Sequence, residues 1–149
     1  MNGISAIVQN KVLMVSILCW FVAQCLKVIF TMIQYKKFDF SRFVGSGGMP
    51  SSHSSFVVGL ANSIGLVEGY QSTFFALALV FALVVMYDAA GVRQSVGKQA
   101  TILNQIFEIL KNHGGSGKEY EKLKELVGHT PLEVFFGALL GIVLSYVII

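Results

Sequence analysis

Long apolar blocks alternate with shorter polar stretches along this chain. The blocks are apolar on all sides of a helix rather than along one stripe, and they lie at about residues 11–33, 51–67, 73–92 and 131–149. Crossing the hydrocarbon core of a bilayer takes a helix of about 20 apolar residues. We therefore predict an all-α fold: an integral, multi-pass membrane helical bundle with about four transmembrane helices, built as a single membrane domain over residues 1–149.

The longest polar stretch, residues 94–128, has a different pattern. Ile102, Ile106 and Leu110 recur at helical spacing among polar residues, as in an amphipathic helix whose apolar side lies on a membrane surface or on a helical bundle. The sequence Gly-Gly-Ser-Gly at residues 114–117 predicts a break in that helix. We expect this stretch to be an amphipathic connection between the third and fourth spans.

Composition agrees with a membrane protein. The chain is 54% hydrophobic and 13% charged, with a mean hydropathy of +0.69, whereas soluble domains carry about 25% charged residues. The net charge is a modest +3, and we expect no nucleic-acid partner. Cys19 and Cys25 are six residues apart in the first block, hence on different helix faces, so we expect packing roles and no mutual disulfide.

The placement of the basic residues predicts the orientation. With four spans, the first and third connections share one side of the membrane. They carry Lys36, Lys37, Arg42, Arg93, Lys98, Lys111, Lys118, Lys122 and Lys124. By the positive-inside rule that side is cytoplasmic, although Lys11 on the other side weakens the assignment. The starts of the second and fourth spans and the end of the third then lie at the cytoplasmic face.

The polar sequence GSGGMPSSHSS, residues 45–55, lies between two spans and has the strongest functional signal. Polar backbone at membrane depth is tolerated where it lines a protected site. Pro50 and Ser51 predict a helix start, whose free N–H groups and positive dipole end favour an anion. His129, in Gly-His-Thr-Pro-Leu-Glu, opens the last span in the same way. We predict that these two helix starts face each other across one phosphate group.

Two interpretations fit each histidine. Thr130 and Glu133 match a capping box, which makes Glu133 a helix cap. Alternatively, the four-residue spacing from His129 lets this carboxylate hold one ring nitrogen as a proton donor and leave the other free to attack phosphorus. His53 is either a polar residue satisfied by its neighbours or a general acid for a leaving oxygen.

The basic residues are equally open to two interpretations. Arg93 is either a cytoplasmic anchor or a bidentate phosphate clamp, with Asp88 and Lys98 as candidate supporting residues. Lys36 and Arg42 are either ordinary positive-inside residues or phosphate ligands. Lys27, inside the first span, either snorkels or pairs structurally, or else it serves the polar site.

Taken together, PSSH at residues 50–53, YDAAGVR at residues 87–93 and GHTPLE at residues 128–133 resemble the type-2 phosphatidic acid phosphatase superfamily. This superfamily includes lipid phosphate phosphatases and vanadium haloperoxidases, and the chain is most similar to its small divergent membrane branch. The resemblance implies that Ser51 and Ser52 bind phosphate, that His53 protonates the leaving group, and that His129, paired with Glu133, becomes a phosphohistidine.

The chain also departs from the family pattern at two places. Leu123 stands where an Arg normally precedes the nucleophilic His, so Arg93 looks like the displaced equivalent. Lys36 and Arg42 are separated by five residues rather than six, and Phe43 replaces the Pro that follows.

The resemblance implies a membrane lipid-phosphate phosphatase that works at the cytoplasmic face, needs no cofactor and binds no metal. The alternative is a protein that binds or transports lipid phosphates without turnover. A third interpretation is a structural four-span protein whose polar residues are caps and anchors. Gly137 and Gly141 form a small-residue pair that serves either packing inside the bundle or a homodimer.

Overall fold

The computed structural model describes residues 3–35, 48–112, 122–123 and 128–149. Some residues that the sequence analysis singled out lie outside the described part: Lys36, Lys37, Arg42, Phe43, Lys118, Lys124 and the Gly-Gly-Ser-Gly sequence at residues 114–117. The described part is helical and contains no strand. Its helices are α1 (Gly3–Gln9), α2 (Lys11–Tyr35), α3 (Ser52–Glu68), α4 (Thr73–Ala90), α5 (Val92–Asn112) and α6 (Pro131–Ile148).

Helix α3 is the centre of the bundle. It packs against α2, α4 and α6, and α2 also contacts α6. Three segments, Lys11–Ile33, Thr73–Lys111 and Pro131–Ile148, contain helices long and apolar enough to cross a membrane. Helix α3 has 17 residues and lies among them. These features confirm the predicted all-α membrane bundle of about four crossing helices.

Small residues let α3 and α6 approach each other closely. A Cβ atom on Gly141 would lie 2.6 Å from the Ser55 carbonyl oxygen, and one on Gly137 would strike the Ser51 carbonyl oxygen. Helix α2 joins the same contact, because Ser55 Oγ donates a hydrogen bond of 3.0 Å to the Cys19 carbonyl. Gly137 and Gly141 therefore serve packing inside the bundle, one of the two roles left open by the sequence.

The turn between α3 and α4 is fastened to the end of α6 by side chains. Asn62 Nδ2 donates to Ser145 Oγ over 2.8 Å. The Tyr70 hydroxyl donates to Asn62 Oδ1 over 3.0 Å and lies 2.9 Å from the Tyr146 hydroxyl. This polar network is at the opposite end of α3 from His53.

Helices α4 and α5 are separated by one residue, Gly91, whose N–H still donates to the Tyr87 carbonyl over 2.8 Å. Helix α5 therefore begins at Val92, slightly before the predicted connection of residues 94–128. It exposes apolar side chains including Ile102, Ile106 and Leu110. In contrast to these exposed residues, Asn104 of the same helix is buried.

Candidate functional site

Three helix ends meet at one end of the bundle. The Ser51 N–H, at the start of α3, donates a hydrogen bond of 3.0 Å to the Glu133 carbonyl in the first turn of α6. The His129 N–H, just before α6, donates to the Ala89 carbonyl near the end of α4, also over 3.0 Å. These two backbone bonds fix the start of α3, the end of α4 and the start of α6 relative to one another.

Gly128 sets the path by which the chain enters α6. Its φ is +104°, which favours glycine, and a Cβ atom there would lie 2.5 Å from the Gln94 backbone nitrogen and 2.6 Å from the Arg93 carbonyl carbon. The chain therefore runs directly against the start of α5. This contact places His129 beside Arg93. In the sequence, the feature that could have indicated this contact is the glycine that precedes His129.

Asn104 of α5 binds an earlier part of the segment that leads into α6. The Asn104 Oδ1 atom accepts from the Leu123 N–H over 3.0 Å, and its Nδ2 donates to the Leu123 carbonyl over 2.9 Å. Both backbone polar groups of Leu123 are thus engaged by one side chain. Leu123, at the position where the family has an Arg, is bound through its backbone.

Glu133 makes the contacts expected of both interpretations that the sequence left open. Its Oε2 atom accepts hydrogen bonds from the Thr130 N–H, over 3.1 Å, and from His129 Nδ1, over 3.0 Å. The Glu133 N–H donates in return to Thr130 Oγ1 over 3.3 Å, which completes the capping box. Because a carboxylate accepts, His129 Nδ1 carries a proton and Nε2 of the neutral ring keeps its lone pair.

The imidazole of His129 is buried, with 2% of the residue exposed. Its Nε2 atom is also buried and has no hydrogen-bond partner among the residues that the structure describes. Such an orphaned polar atom is costly to bury and uncommon in folded proteins, and it is one of the signs of a functional position. The nitrogen with the available lone pair is the one left without a partner.

An open cleft lies in front of His129. The residues that line it come from α3, the α4–α5 junction and the segment before α6: His53, Val85, Asp88, Ala89, Arg93, Gly128 and His129. His53 is exposed at the mouth, and its ring centroid is 6.0 Å from that of His129, with 65° between the ring planes.

Arg93 and Asp88 form an ion pair on one wall of this cleft. Arg93 Nε lies 2.6 Å from Asp88 Oδ2, and the two side chains are 50% and 40% exposed. The contact uses the Nε edge of the guanidinium. The two Nη amino groups of Arg93 are further donors in the same plane, and this planar arrangement suits phosphate oxygens.

The serines and Lys98 are placed differently. Ser51 and Ser52 are buried beside His53, and neither lines the cleft. The Ser51 hydroxyl caps α3 by accepting from the Ser54 N–H over 3.3 Å. Lys98 is exposed on α5, away from the cleft lining. Lys36 and Arg42 fall outside the described residues, so their distance from the cleft is not defined.

Lys27 is the residue whose position the sequence left most open. It is buried in α2, with 1% exposed, and its Cγ atom would lie 3.3 Å from a Cβ on Gly48. Gly48 immediately precedes the turn that starts α3. The signal in the sequence was a lysine inside an apolar span, but spacing alone does not say which face of α2 meets the site.

Comparisons with known proteins agree on one family. The family model described as "Divergent PAP2 family" matches residues 8–144. The chain is 38% identical over 151 residues to the uncharacterized membrane protein YuiD of Bacillus subtilis (strain 168), a match that covers 95% of this chain and 96% of YuiD. No solved structure matches. The resemblance read from the sequence is therefore confirmed, and the chain belongs to the divergent PAP2 family of membrane proteins.

Proposed function

We propose that this protein is a membrane lipid-phosphate phosphatase that works through a phosphohistidine intermediate at the cytoplasmic membrane face. One observation carries the proposal: the Nε2 atom of His129 is buried and unpartnered at a cleft lined by His53 and Arg93, while Glu133 holds Nδ1. This is the arrangement that a nucleophilic imidazole requires, with its other nitrogen fixed as a donor.

The first step transfers the phosphoryl group to the protein. The Nη groups of Arg93 bind the phosphate oxygens, and His129 Nε2 attacks phosphorus. A P–N bond forms and the bond between phosphorus and the lipid oxygen breaks. Protonated His53 gives its proton to the departing alkoxide, so the lipid leaves as an alcohol. The positive charge that develops on the His129 ring is stabilised by Glu133.

The second step releases phosphate. His53, now neutral, takes a proton from a water molecule that attacks phosphorus. The P–N bond breaks, inorganic phosphate leaves, and both histidines return to their starting states. The sum of the two steps is hydrolysis of a phosphate monoester by one water molecule. Positioning and electrostatic stabilisation of the transferring group provide most of the catalysis in such reactions.

A lipid substrate is favoured by the position of the cleft. It lies where α3 and α6 begin and α4 ends, at one end of a bundle of apolar helices. A lipid in the adjacent leaflet can bring its headgroup to this level while its chains stay in hydrocarbon. The basic residues of the first and third connections favour a cytoplasmic location of this end by the positive-inside rule.

The test is release of inorganic phosphate by the purified protein from a panel of lipid phosphates. His129→Ala should lower the rate by roughly 10³-fold or more, and His53→Ala by roughly 10²- to 10⁴-fold. His113→Ala is the matched control, because His113 is the third histidine and the proposed mechanism gives it no role. Equal rates in the wild type and all three variants would contradict the mechanism.

The second candidate is a lipid-phosphate binding or transport protein that keeps the cleft without turnover. The Arg93–Asp88 ion pair favours it, because this carboxylate engages one edge of the guanidinium proposed to hold phosphate. A wild type that binds lipid phosphate but never releases inorganic phosphate would select this alternative.

A homodimer is a further part of the proposal. Because Gly137 and Gly141 pack against α3 within one chain, a dimer would have to use other surfaces. Among these are the outward apolar sides of the spanning helices.

A further inference from the structure

Helix α5 begins where α4 has already crossed the membrane. Helix α4 has 18 residues, which make about 27 Å of helix, close to the roughly 30 Å thickness of the hydrocarbon core. The whole stretch Thr73–Lys111 has 39 residues and would measure about 58 Å, far more than one crossing needs. Because α4 accounts for the crossing, the start of α5 lies at the level of the headgroups, next to the cleft residues Asp88 and Arg93.

One side of α5 is apolar and exposed. This apolar side consists of residues that recur at helical spacing and are between 43% and 57% exposed: Ile102, Leu103, Ile106 and Leu110. In the first two turns the same side carries Ser95 and Gln99, so it is apolar only from Ile102 onward. Contiguous exposed apolar side chains mark a surface that meets lipid or another protein.

The bundle and the described part of the next connection leave this apolar side open. Helix α5 packs against α4 and against no other helix that the structure describes. The Leu123 backbone is bound by Asn104, which is two residues from both Ile102 and Ile106 and so lies about 160° around the helix from them. The contact with the connection is therefore on the opposite side of α5.

Two lysines border the apolar side at opposite edges and opposite ends. Lys98 lies one turn before Ile102 on one edge, and Lys111 lies one turn after Phe107 on the other. Both lysines are exposed. In a helix that lies in a membrane surface, the apolar side reaches the acyl boundary and the neighbouring basic residues meet anionic headgroups. The flanking charges therefore favour an anionic bilayer as the partner of this side.

The acidic residue of α5 points the choice in the same direction. Glu108 is the one carboxylate of this helix, and it is two residues from both Ile106 and Leu110, again about 160° around the helix. Two copies of α5 packed through their apolar sides would have lysines at their flanks and no carboxylate of α5 to pair with them. An anionic leaflet provides phosphate groups for both lysines, which favours lipid over a second copy.

We propose that α5 lies on the membrane surface, with its apolar side at the acyl boundary and Lys98 and Lys111 among anionic lipid headgroups. The partner of this surface is the leaflet at whose level the cleft lies. The surface is separate from the cleft, and the proposal does not require that the cleft binds or hydrolyses a phosphate.

The first experiment places a polarity-sensitive fluorescent probe on each side of α5 in the full-length protein, reconstituted into lipid nanodiscs. Ile106→Cys carries the probe on the apolar side, and Glu108→Cys carries it on the far side. Lipids brominated in the upper acyl chain should quench the probe on Ile106→Cys several-fold more than the probe on Glu108→Cys. The wild type, treated in the same way, gives the background from Cys19 and Cys25. Ile102→Cys is a second position on the apolar side and should behave like Ile106→Cys.

The second experiment measures the preference for anionic lipid by amide hydrogen exchange of α5. The nanodiscs contain either phosphatidylcholine alone or an equal mixture with phosphatidylglycerol. Exchange should be roughly 10- to 30-fold slower in the anionic membrane, since each lysine near such a surface contributes a factor of roughly five. The double variant Lys98→Gln, Lys111→Gln should lose this difference. Lys11→Gln, at the start of α2, is the matched control and should keep it.

Each contrary result would overturn the proposal. Equal quenching at positions 106 and 108 would show that the apolar side does not face lipid. Blue-shifted emission of Ile106→Cys without quenching by brominated lipid, increasing with the ratio of protein to lipid, would assign the apolar side to a second copy. Exchange that does not depend on headgroup charge would remove the role of the two lysines. None of these results depends on phosphate release, so the proposed phosphatase function is tested independently.

Discussion

A single carboxylate oxygen of Glu133 contributes both to the start of α6 and to the proposed catalytic pair. Oε2 caps α6 through the Thr130 N–H and fixes the His129 ring through Nδ1. The same atom therefore stabilises the helix start and selects the tautomer in which Nε2, the proposed nucleophile, keeps its lone pair. Because the helix start determines where the ring lies, the cap and the proposed catalytic pair are one structural unit.

The two roles of Glu133 can be separated by substitution. Glu133→Gln retains an oxygen that caps the Thr130 N–H but loses the charge and offers His129 an amide instead of a pure acceptor. We expect little change in thermal unfolding and a fall in phosphate release of roughly 10²- to 10⁴-fold. Glu133→Ala should show the same loss and also cost about 1 kcal/mol of stability, the typical value of a helix cap.

Glu108→Gln is the control for this pair of variants, because Glu108 is exposed on α5 and distant in sequence from the site. It should match the wild type in both rate and unfolding temperature. Full phosphatase activity in Glu133→Gln would refute the orienting role of the carboxylate and leave only the cap.

At the scale of helices, the contact of α3 with α6 determines the geometry of the site. Gly137 and Gly141 leave room for the carbonyl groups of Ser51 and Ser55. The hydrogen bond from the Ser51 N–H to the Glu133 carbonyl lies at the end of this contact. Any separation of the two helices would therefore move His53 away from His129.

Gly137→Ala tests this packing with one added carbon atom. In an open helical position alanine is more favourable than glycine by roughly 0.5–1 kcal/mol. At Gly137 the new Cβ strikes the Ser51 carbonyl, so we expect the opposite sign, a loss of roughly 1–3 kcal/mol from overpacking, together with lower phosphate release. Unfolding in detergent and the phosphatase assay measure the two effects.

Gly3→Ala is the matched glycine control, because a Cβ atom at Gly3 would meet nothing within 4 Å. It should be neutral or slightly stabilising. If Gly137→Ala behaved in the same way, the close approach of α3 and α6 would not be what holds the site together.

For the molecule as a whole, the sequence predicted those features that depend on interactions between neighbouring residues. The apolar blocks gave the all-α membrane bundle, because each block needs burial in lipid or protein on every side. The sequence around Thr130 and Glu133 gave the start of α6, since a capping box depends on neighbours within one turn.

The remaining features depend on packing between distant segments. Lys27 is buried against Gly48, which lies shortly before α3, and no spacing within α2 encodes that contact. Ser51 fits the family motif, yet its hydroxyl accepts from the Ser54 N–H, a local use that competes with phosphate binding. The expected contributions of Lys36 and Arg42 stay predictions, because both lie outside the described residues.

The side of the membrane on which the cleft opens is predicted by charge. Ser95 of α5 lies two residues from Arg93, in the basic third connection, whereas Gln71 lies in the short turn between α3 and α4, beside the acidic Glu68. Both residues are exposed. By the positive-inside rule the Ser95 end is cytoplasmic and the Gln71 end is outside.

Single cysteines at these two positions test the orientation in intact cells with a membrane-impermeant maleimide. Gln71→Cys should be labelled in intact cells, and Ser95→Cys only after the membrane is permeabilised. The wild type is the control for background, since Cys19 is buried in α2 and Cys25 lies within the same membrane helix. Labelling of Ser95→Cys in intact cells would place the cleft outside. That result would restrict the substrate to lipids of the outer leaflet, while the arrangement of His129, Glu133 and His53 would be unaffected.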